Sequence, residues 1–239
     1  MATEAGDKKL LGNFRILIDY VSTEPNYNPA NPKVTKAALE TQYTNGAGVV
    51  GDVAAAHAPN KLAITDRQSG FDDLRPLVIR SNNYLKASGA SKEVVADAQT
   101  SVRKLTGSRK SPKIKDNPAT PVDESKGSHS ASQMSYDNQL GNVASYLAIL
   151  QNIAEYNPNE ADLKVTALQA VANALQAKNN AVSTTAVALA QARGNRDQLL
   201  YLADDSIVNT AQLVKNYIKA ALGTDSQLHK QVKGLRFTR

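Results

Sequence analysis

The sequence of 239 residues contains no cysteine, no tryptophan, three phenylalanines and two methionines. Without thiols there is neither a disulfide nor a thiolate metal ligand, and cysteine usage says nothing about the redox compartment. Large aromatic side chains are scarce, while Ala, Leu, Val, Gln, Asn and Lys are plentiful. That mix favours helices in close contact through small residues over a sheet core. No apolar run approaches the roughly 20 residues needed to cross a bilayer. The segment Met1-Ala2-Thr3-Glu4-Ala5-Gly6-Asp7 lacks the basic-then-apolar order of a secretory signal. The expectation is a soluble, cytoplasmic chain, with export by a route lacking a cleaved signal left open.

One-sided charge is missing as well. The net charge of +6 divides evenly: residues 1–106, 107–135 and 136–239 each carry +2. Nucleic-acid affinity scales with the phosphates neutralised together, so an electrostatic footprint is concentrated. This excess is spread thin, which disfavours a nucleic-acid partner.

What the chain has is a duplication. Asn83-Tyr84-Leu85-Lys86-Ala87 recurs as Asn216-Tyr217-Ile218-Lys219-Ala220, 133 positions later. Tyr27-Asn28-Pro29 is answered by Tyr156-Asn157-Pro158, and Lys33-Val34-Thr35 by Lys164-Val165-Thr166. Asp72-Asp73 is answered by Asp204-Asp205, Gly89 by Gly223, and Val102-Arg103-Lys104-Leu105 by Val232-Lys233-Gly234-Leu235. The order is conserved along both halves and the offset drifts only from 129 to 134. Self-matches at a long, nearly fixed period indicate two copies of one small domain. Each copy is long enough to bury a modest core.

Apolar periodicity and breakers predict helices throughout. Leu10, Phe14, Leu17 and Val21 form one seam of a helix from about Lys8 to Val21. Asn31 and Pro32 suit the cap and first position of a second helix, which Pro59 should end. Asp72-Asp73 should open a third, running through Lys86 to a left-handed stop at Gly89, with Pro76 tolerated in its first turn. Ser91 should cap a fourth, with Ala98, Val102 and Leu105 on one face. In the second copy, Leu140, Val143, Leu147, Leu150 and Ala154 form a seam. Leu168, Val171, Leu175, Val182 and Leu189 mark a rod of roughly 50 Å that Gly194-Asn195 should stop. Asp204-Asp205 should open the helix bearing Tyr217, closed by Gly223. Thr224-x-x-Gln227 reads as a capping box for a short last helix. Residues 107–135 are rich in Ser, Lys, Pro and Gly, with almost nothing to offset ordering entropy, and read as a flexible linker. The expected fold is therefore all-α: two tandem up-down antiparallel bundles of three to four helices each, at 8–106 and 136–237.

Sites are few. Gly46-Ala47-Gly48-Val49-Val50-Gly51 matches the dinucleotide fingerprint in letters, with Asp72 at a plausible distance. That fingerprint works only between a strand and a helix. The preceding Ala-Ala-Leu-Glu-Thr-Gln-Tyr reads as helix and the second copy has no glycines there. The better reading is a face of small residues, Ala47, Gly51 and Ala55, open to a close neighbour. None of His57, His129 and His229 has a Glu three residues before it, so a carboxylate-bridged metal site is not expected, nor is any cofactor. No nucleophile elbow, phosphate loop or zinc-protease motif is present, and an enzyme is not expected.

Arg103, Lys104, Arg109, Lys110, Lys113 and Lys115 form the sharpest basic cluster, with no acid between them. They could grip phosphates or an anionic surface. They lack aromatics to stack on bases, and a solvated linker is the simpler account. The repeated Asn83, Tyr84, Lys86 and Asn216, Tyr217, Lys219 could be a contact surface used twice. Structurally, each Tyr would pack on a neighbouring helix and each Lys would offset a helix dipole, and this reading is preferred. A membrane-active role could rest only on the Gly/Ala/Val patch from Gly46 to Ala56, which Asp52 interrupts.

Ser135-Tyr136-Asp137-Asn138 opening the second copy, with Lys233-Gly234-Leu235-Arg236-Phe237 closing it, resembles uncharacterised bacterial all-helical proteins with an internal duplication. That resemblance implies the architecture and no activity. The function expected is that of a non-catalytic structural or protein-interaction protein, self-assembling through helix faces. The alternatives are a nucleic-acid or anionic-surface binder using residues 103–115, and a membrane-active helical protein.

Overall fold

Serine hydroxyls decide where most of the helices begin. Ser91, Ser135, Ser206 and Ser226 sit in non-helical backbone and accept from the amides of Val94, Asn138, Asn209 and His229. Each satisfies one of the donors left free at a helix start, a contribution of about 1 kcal/mol. The computed structural model describes residues 4–107 and 134–238, and among them every regular element is helical. The helices are α1 (Glu4–Thr23), α2 (Lys36–Ala87), α3 (Lys92–Thr106), α4 (Tyr136–Gln151), α5 (Val165–Asp197), α6 (Ile207–Leu222) and α7 (Gln227–Lys233). Short 3₁₀ turns at Pro32–Val34 and Ala161–Leu163 lead into α2 and α5. Gly89, at φ 89°, and Gly223, at φ 86°, follow α2 and α6 in the left-handed half of backbone space, as expected. The final helix is capped by Ser226, so the capping box expected at Thr224 is not used.

Two breaks expected from sequence do not occur. α2 is one helix of 52 residues, running through Pro59, Asp72-Asp73 and Pro76; its length is about 78 Å. An interior proline costs about 3 kcal/mol through its lost donor and its clash with the preceding turn. Both prolines lie on the exposed side, where water can take the released carbonyls. The helix is also held against α5 just after Pro59. Asn60 donates to Thr185 Oγ1 at 3.1 Å, and Arg67 to Asn179 Oδ1 at 3.1 Å. Likewise α5 passes through Gly194 and ends in a π-helical turn, Gln198–Leu202, where Ala203 N–H donates to Gln198 O at 2.9 Å. α5 has the rod length expected.

The unbroken α2 changes the domain organisation. The chain divides into two compact units: a terminal unit of Met1–Lys61 with Thr184–Arg239, and a central unit of Leu62–Ser183. Neither is a repeat. Each combines the first half of one copy with the second half of the other. The boundaries expected at 8–106 and 136–237 are corrected accordingly. Because α2 and α5 cannot fold back on themselves, each copy's apolar faces are completed by the other copy. The linker expected over 107–135 falls, except for its ends, outside the described residues.

The terminal unit buries Leu10, Phe14, Leu17 and Val21, the expected seam of α1, at 2% exposure or less. They meet Leu39 of α2, Ile207, Ala211, Val214 and Ile218 of α6, and Leu228 and Val232 of α7. The central unit buries Phe71, Leu74, Val78 and Leu85 of α2 against Ala98, Val102 and Leu105 of α3. Val143, Tyr146, Leu147 and Leu150 of α4 complete that core, with Leu168 and Leu175 of α5.

Equivalent positions of the two copies are now fixed by geometry. Tyr27 donates to Val34 O and Tyr156 to Leu163 O. Val34 therefore corresponds to Leu163, and the similarity of Lys33-Val34-Thr35 to Lys164-Val165-Thr166 is two residues out of register. Phe71 and Leu200 lie 129 apart, whereas Leu74 and Ile207 lie 133 apart. Four extra residues thus enter the second copy between Leu200 and Ile207. Where α2 continues as helix, the second copy has its π turn and a break.

The units differ inside. In the central unit Tyr156 gives its proton to Leu163 O, so it must accept from Ser81 Oγ at 2.8 Å. Ser81 Oγ in turn accepts from Tyr146 at 2.8 Å. The terminal unit has Val214 and Leu17 at the corresponding places, both fully buried, and no such chain of hydroxyls. It spends its buried polarity elsewhere. Asp7, at 1% exposure, accepts from Arg196 at 3.1 Å and from Tyr201 at 2.7 Å. The positions equivalent to Asp7 and Arg196 are Tyr136 and Arg67, where the guanidinium lies 4.1 Å from the ring centroid.

Two measurements follow from this organisation. Fragments 1–107 and 134–239 should each lack a cooperative monomeric unfolding transition, and mixing them should restore it with a 1:1 stoichiometry; independent folding of either as a monomer would contradict the exchange of halves. Burial raises the phenol pKa of Tyr27, Tyr146, Tyr156 and Tyr201 above the ordinary 10.0. Above pH 10 the unfolded chain releases phenolic protons that the folded chain retains, so stability falls as pH rises. Tyrosinate absorbance and loss of helical circular dichroism should therefore rise together above that pH. Ionisation of all the tyrosines near pH 10 with the helices intact would contradict the burial.

Candidate functional site

The repeated Asn-Tyr-x-Lys-Ala segment lies near the ends of α2 and α6, and its tyrosines meet the other copy. The ring of Tyr217 stands edge-on to that of Tyr27, with centroids 5.2 Å apart at 86°. Tyr84 and Tyr156 repeat the geometry at 5.3 Å and 85°. Tyr84 OH donates to Asn157 O at 2.8 Å, and Tyr217 OH accepts from Asn28 N–H at 3.2 Å. So Tyr-Asn-Pro of one copy is the seat for Asn-Tyr-x-Lys-Ala of the other. Both segments were visible in the sequence; that each binds the opposite copy was not. Asn83, Asn216, Lys86 and Lys219 are exposed, with Lys86 and Lys219 in the last turn of their helices. The tyrosines therefore work in the fold, and only the flanking polar residues are free to meet anything else.

Lys86 faces a groove. The exposed sides of α2 and α3 in the central unit enclose about 300 Å³ between Arg75, Asn82, Lys86, Gln99 and Arg103, with Ile79 and Val102 supplying apolar wall. Three cations line it and no carboxylate does. Arg103 reaches Gln99 Oε1 at 3.4 Å, a long contact. Asn82 is 5% exposed and its Oδ1 is buried without a hydrogen-bond partner. Of the basic cluster expected at 103–115, the structure places Arg103 in this groove and Lys104 on the exposed side of α3. Arg109, Lys110, Lys113 and Lys115 lie outside the described residues. Sequence inspection missed Arg75 and Asn82: the expected helix from Asp72 to Lys86 already sets 75, 82 and 86 on one side, but no local signal shows that this side meets Arg103 of α3.

The corresponding place in the terminal unit is closed. Asn82 is answered there by Lys215, whose ammonium donates to Leu235 O at 2.5 Å and lies 5.1 Å from the Phe237 ring. Burial lowers its pKa. Phe237 packs edge-on to Phe14, and Arg236 O accepts from Asn13, so residues 235–237 are bound over the helices. A second groove of the terminal unit, of about 500 Å³, carries Asp19 and Glu24 with Gln227 and Gln231.

The other sequence candidates resolve simply. Gly46 to Gly51 lie inside α2, with no strand before them, so the dinucleotide fingerprint is accidental. The small face expected to receive a neighbour, Ala47, Gly51 and Ala55, points to solvent. Gly46 is the buried one: a Cβ there would stand 2.6 Å from Ile207 Cδ1 and 2.9 Å from Leu11 Cδ2. His57 is exposed, His229 Nδ1 lies 2.9 Å from Thr224 O, and His129 is outside the described residues. No cluster of three potential metal ligands occurs among the described residues. Nor is any described helix long and apolar enough to cross a membrane. No known protein family, curated protein or solved structure matches this chain.

If the repeated tyrosines are structural, Tyr84→Ala and Tyr217→Ala should each destabilise the fold by about 2 kcal/mol, less than the loss for a fully buried aromatic because both rings are half-buried. Tyr84→Phe should lose only about 1 kcal/mol, for its hydrogen bond. Denaturant unfolding checks both; a negligible effect of the alanine variants would return the motif to the surface-contact reading.

Proposed function

We propose that the chain is a non-catalytic interaction protein that assembles through exposed faces of its long helices. The observation that supports this is a charge-free, uncovered stretch. Residues 179–192 of α5 contain no Asp, Glu, Lys or Arg. Ala186, Val187, Ala188 and Ala190 there are exposed, Val187 at 67%. In the terminal unit α2 has the same character. Between Thr41 and Asn60 the only charge is Asp52, while Ala47, Gly48, Gly51, Ala54, Ala55 and Ala58 are exposed. Helix faces left in water normally carry charged side chains. A face of Ala, Gly and Val loses little hydration when covered, and its small side chains let a second helix approach to about 8 Å. Among the described residues no helix of this chain covers it.

The partner this favours is another copy of the chain or another helical protein. The resemblance to duplicated bacterial helical proteins is compatible with such a role and adds no activity. Light scattering after size-exclusion chromatography should show concentration-dependent association. Val187→Glu combined with Gly51→Glu should abolish it without lowering the melting temperature. A strict monomer at high concentration that captures no protein would remove the proposal.

A further inference from the structure

The groove of the central unit carries a second inference, independent of assembly. We infer that Arg75, Lys86 and Arg103 with Asn82 form a binding site for a small organic phosphate that bears a hydroxyl or amino donor. Three observations lead to that chemistry. The lining brings three cations together with no acid to neutralise them. Two are guanidinium groups, whose planar forks match phosphate oxygens bidentately. Asn82 lines the groove, and its amide oxygen is buried without a partner; turned toward the groove it calls for an O–H or N–H, so the ligand offers a donor next to its anionic group. The volume of about 300 Å³ is at the small end of ligand sites, which limits the ligand to a compact molecule.

The duplication supplies the comparison. At the matching place the terminal unit has Lys215, Lys219 and Lys233, with Val208 where the central unit has Arg75; Lys215 is satisfied by Leu235 O and the Phe237 ring. There the chain fills its own groove and the buried polar group is paired. In the central unit a neutral amide replaces that lysine, and the positive charge stands around it on Arg75, Lys86 and Arg103. These side chains have no role in either core.

The phosphate could belong to a free metabolite or to a phospholipid headgroup, and the test separates them. The full-length chain is titrated calorimetrically with glycerol 3-phosphate at fixed ionic strength. The site should bind one equivalent saturably and should not bind glycerol. Arg75→Gln/Lys86→Gln/Arg103→Gln should weaken binding at least tenfold with its helical circular dichroism unchanged. Asn82→Asp, which sets a carboxylate beside the phosphate, should weaken it similarly. Lys219→Gln, the counterpart of Lys86, should bind as the parent does. In a second arm the chain is floated with phosphatidylglycerol vesicles. Flotation lost in the triple variant and displaced by glycerol 3-phosphate assigns the phosphate to a headgroup; saturable binding of the free ester without flotation assigns it to a soluble ligand. Absence of binding in both arms, or binding that the triple variant retains, overturns the site.

Discussion

Everything in this fold depends on a helix that does not turn. α2 carries two apolar faces, one at each end, separated by a middle with little to bury. A break at Pro59 would have let the second face swing back onto α1 and close a bundle within one copy. The helix instead continues, and geometry forbids the copy from completing itself. α1 with the start of α2 finds its second wall elsewhere, and among the described residues that wall is α6 and α7 of the other copy. The edge-on tyrosine pairs are the signature of this exchange. Both join Tyr-Asn-Pro of one copy to Asn-Tyr-x-Lys-Ala of the other, at distances equal to within 0.1 Å. Aromatic pairs of that geometry add about 1 kcal/mol beyond the area they bury. Their larger effect is on specificity, since they fix which turn meets which helix end.

The two units share this frame but solve their polar problems differently. One holds a buried Asp7–Arg196 pair, completed by Tyr201 and Asp197. A buried charge pair of this kind contributes little net stability, yet removing one partner strands the other at a cost of several kcal/mol. The other unit lays Arg67 on Tyr136 and hides its polarity in the Tyr146–Ser81–Tyr156 chain. In that chain every hydroxyl has a single possible donor direction, fixed from the end by a backbone carbonyl. The contacts that decide pairing thus recur in both units, while the remaining core positions differ. The grooves differ too: residues 235–237 close one, and cations line the other.

Much of the helical content was legible, because capping serines, left-handed glycines and seams such as Leu10-Phe14-Leu17-Val21 are local signals. The pairing was not. Each copy's apolar pattern is the same whether it closes on itself or on its twin, so hydrophobic periodicity cannot distinguish the two. Pro59, Asp72-Asp73 and Gly194 misled for a common reason: each is a local breaker on the exposed side of a long helix, whose cost is offset by packing elsewhere along that helix. The drift in repeat offset did hold information. It marks four inserted residues, and they are the π turn and break that end α5. Arg103 was singled out as part of a linear basic run. Its actual neighbours, Arg75 and Lys86, are distant in sequence and share only a helix face with Asn82, a grouping no local motif reports.

One unit is continuous in sequence, and the other is assembled from the first and last parts of the chain. During synthesis, therefore, the stretch from Leu62 to Ser183 is complete while the ribosome is still adding the residues that close the remainder. Domains generally fold as units in the order they emerge. Here that order is inverted for the N-terminal helix, which is made first and finds its neighbours last. Until Ile207, Val214 and Ile218 appear, Phe14, Leu17 and Val21 have only Tyr27, Val34 and Leu39 of their own copy to lie against. The seam of α1 thus lacks its wall of α6 and α7 until the last of these helices is made.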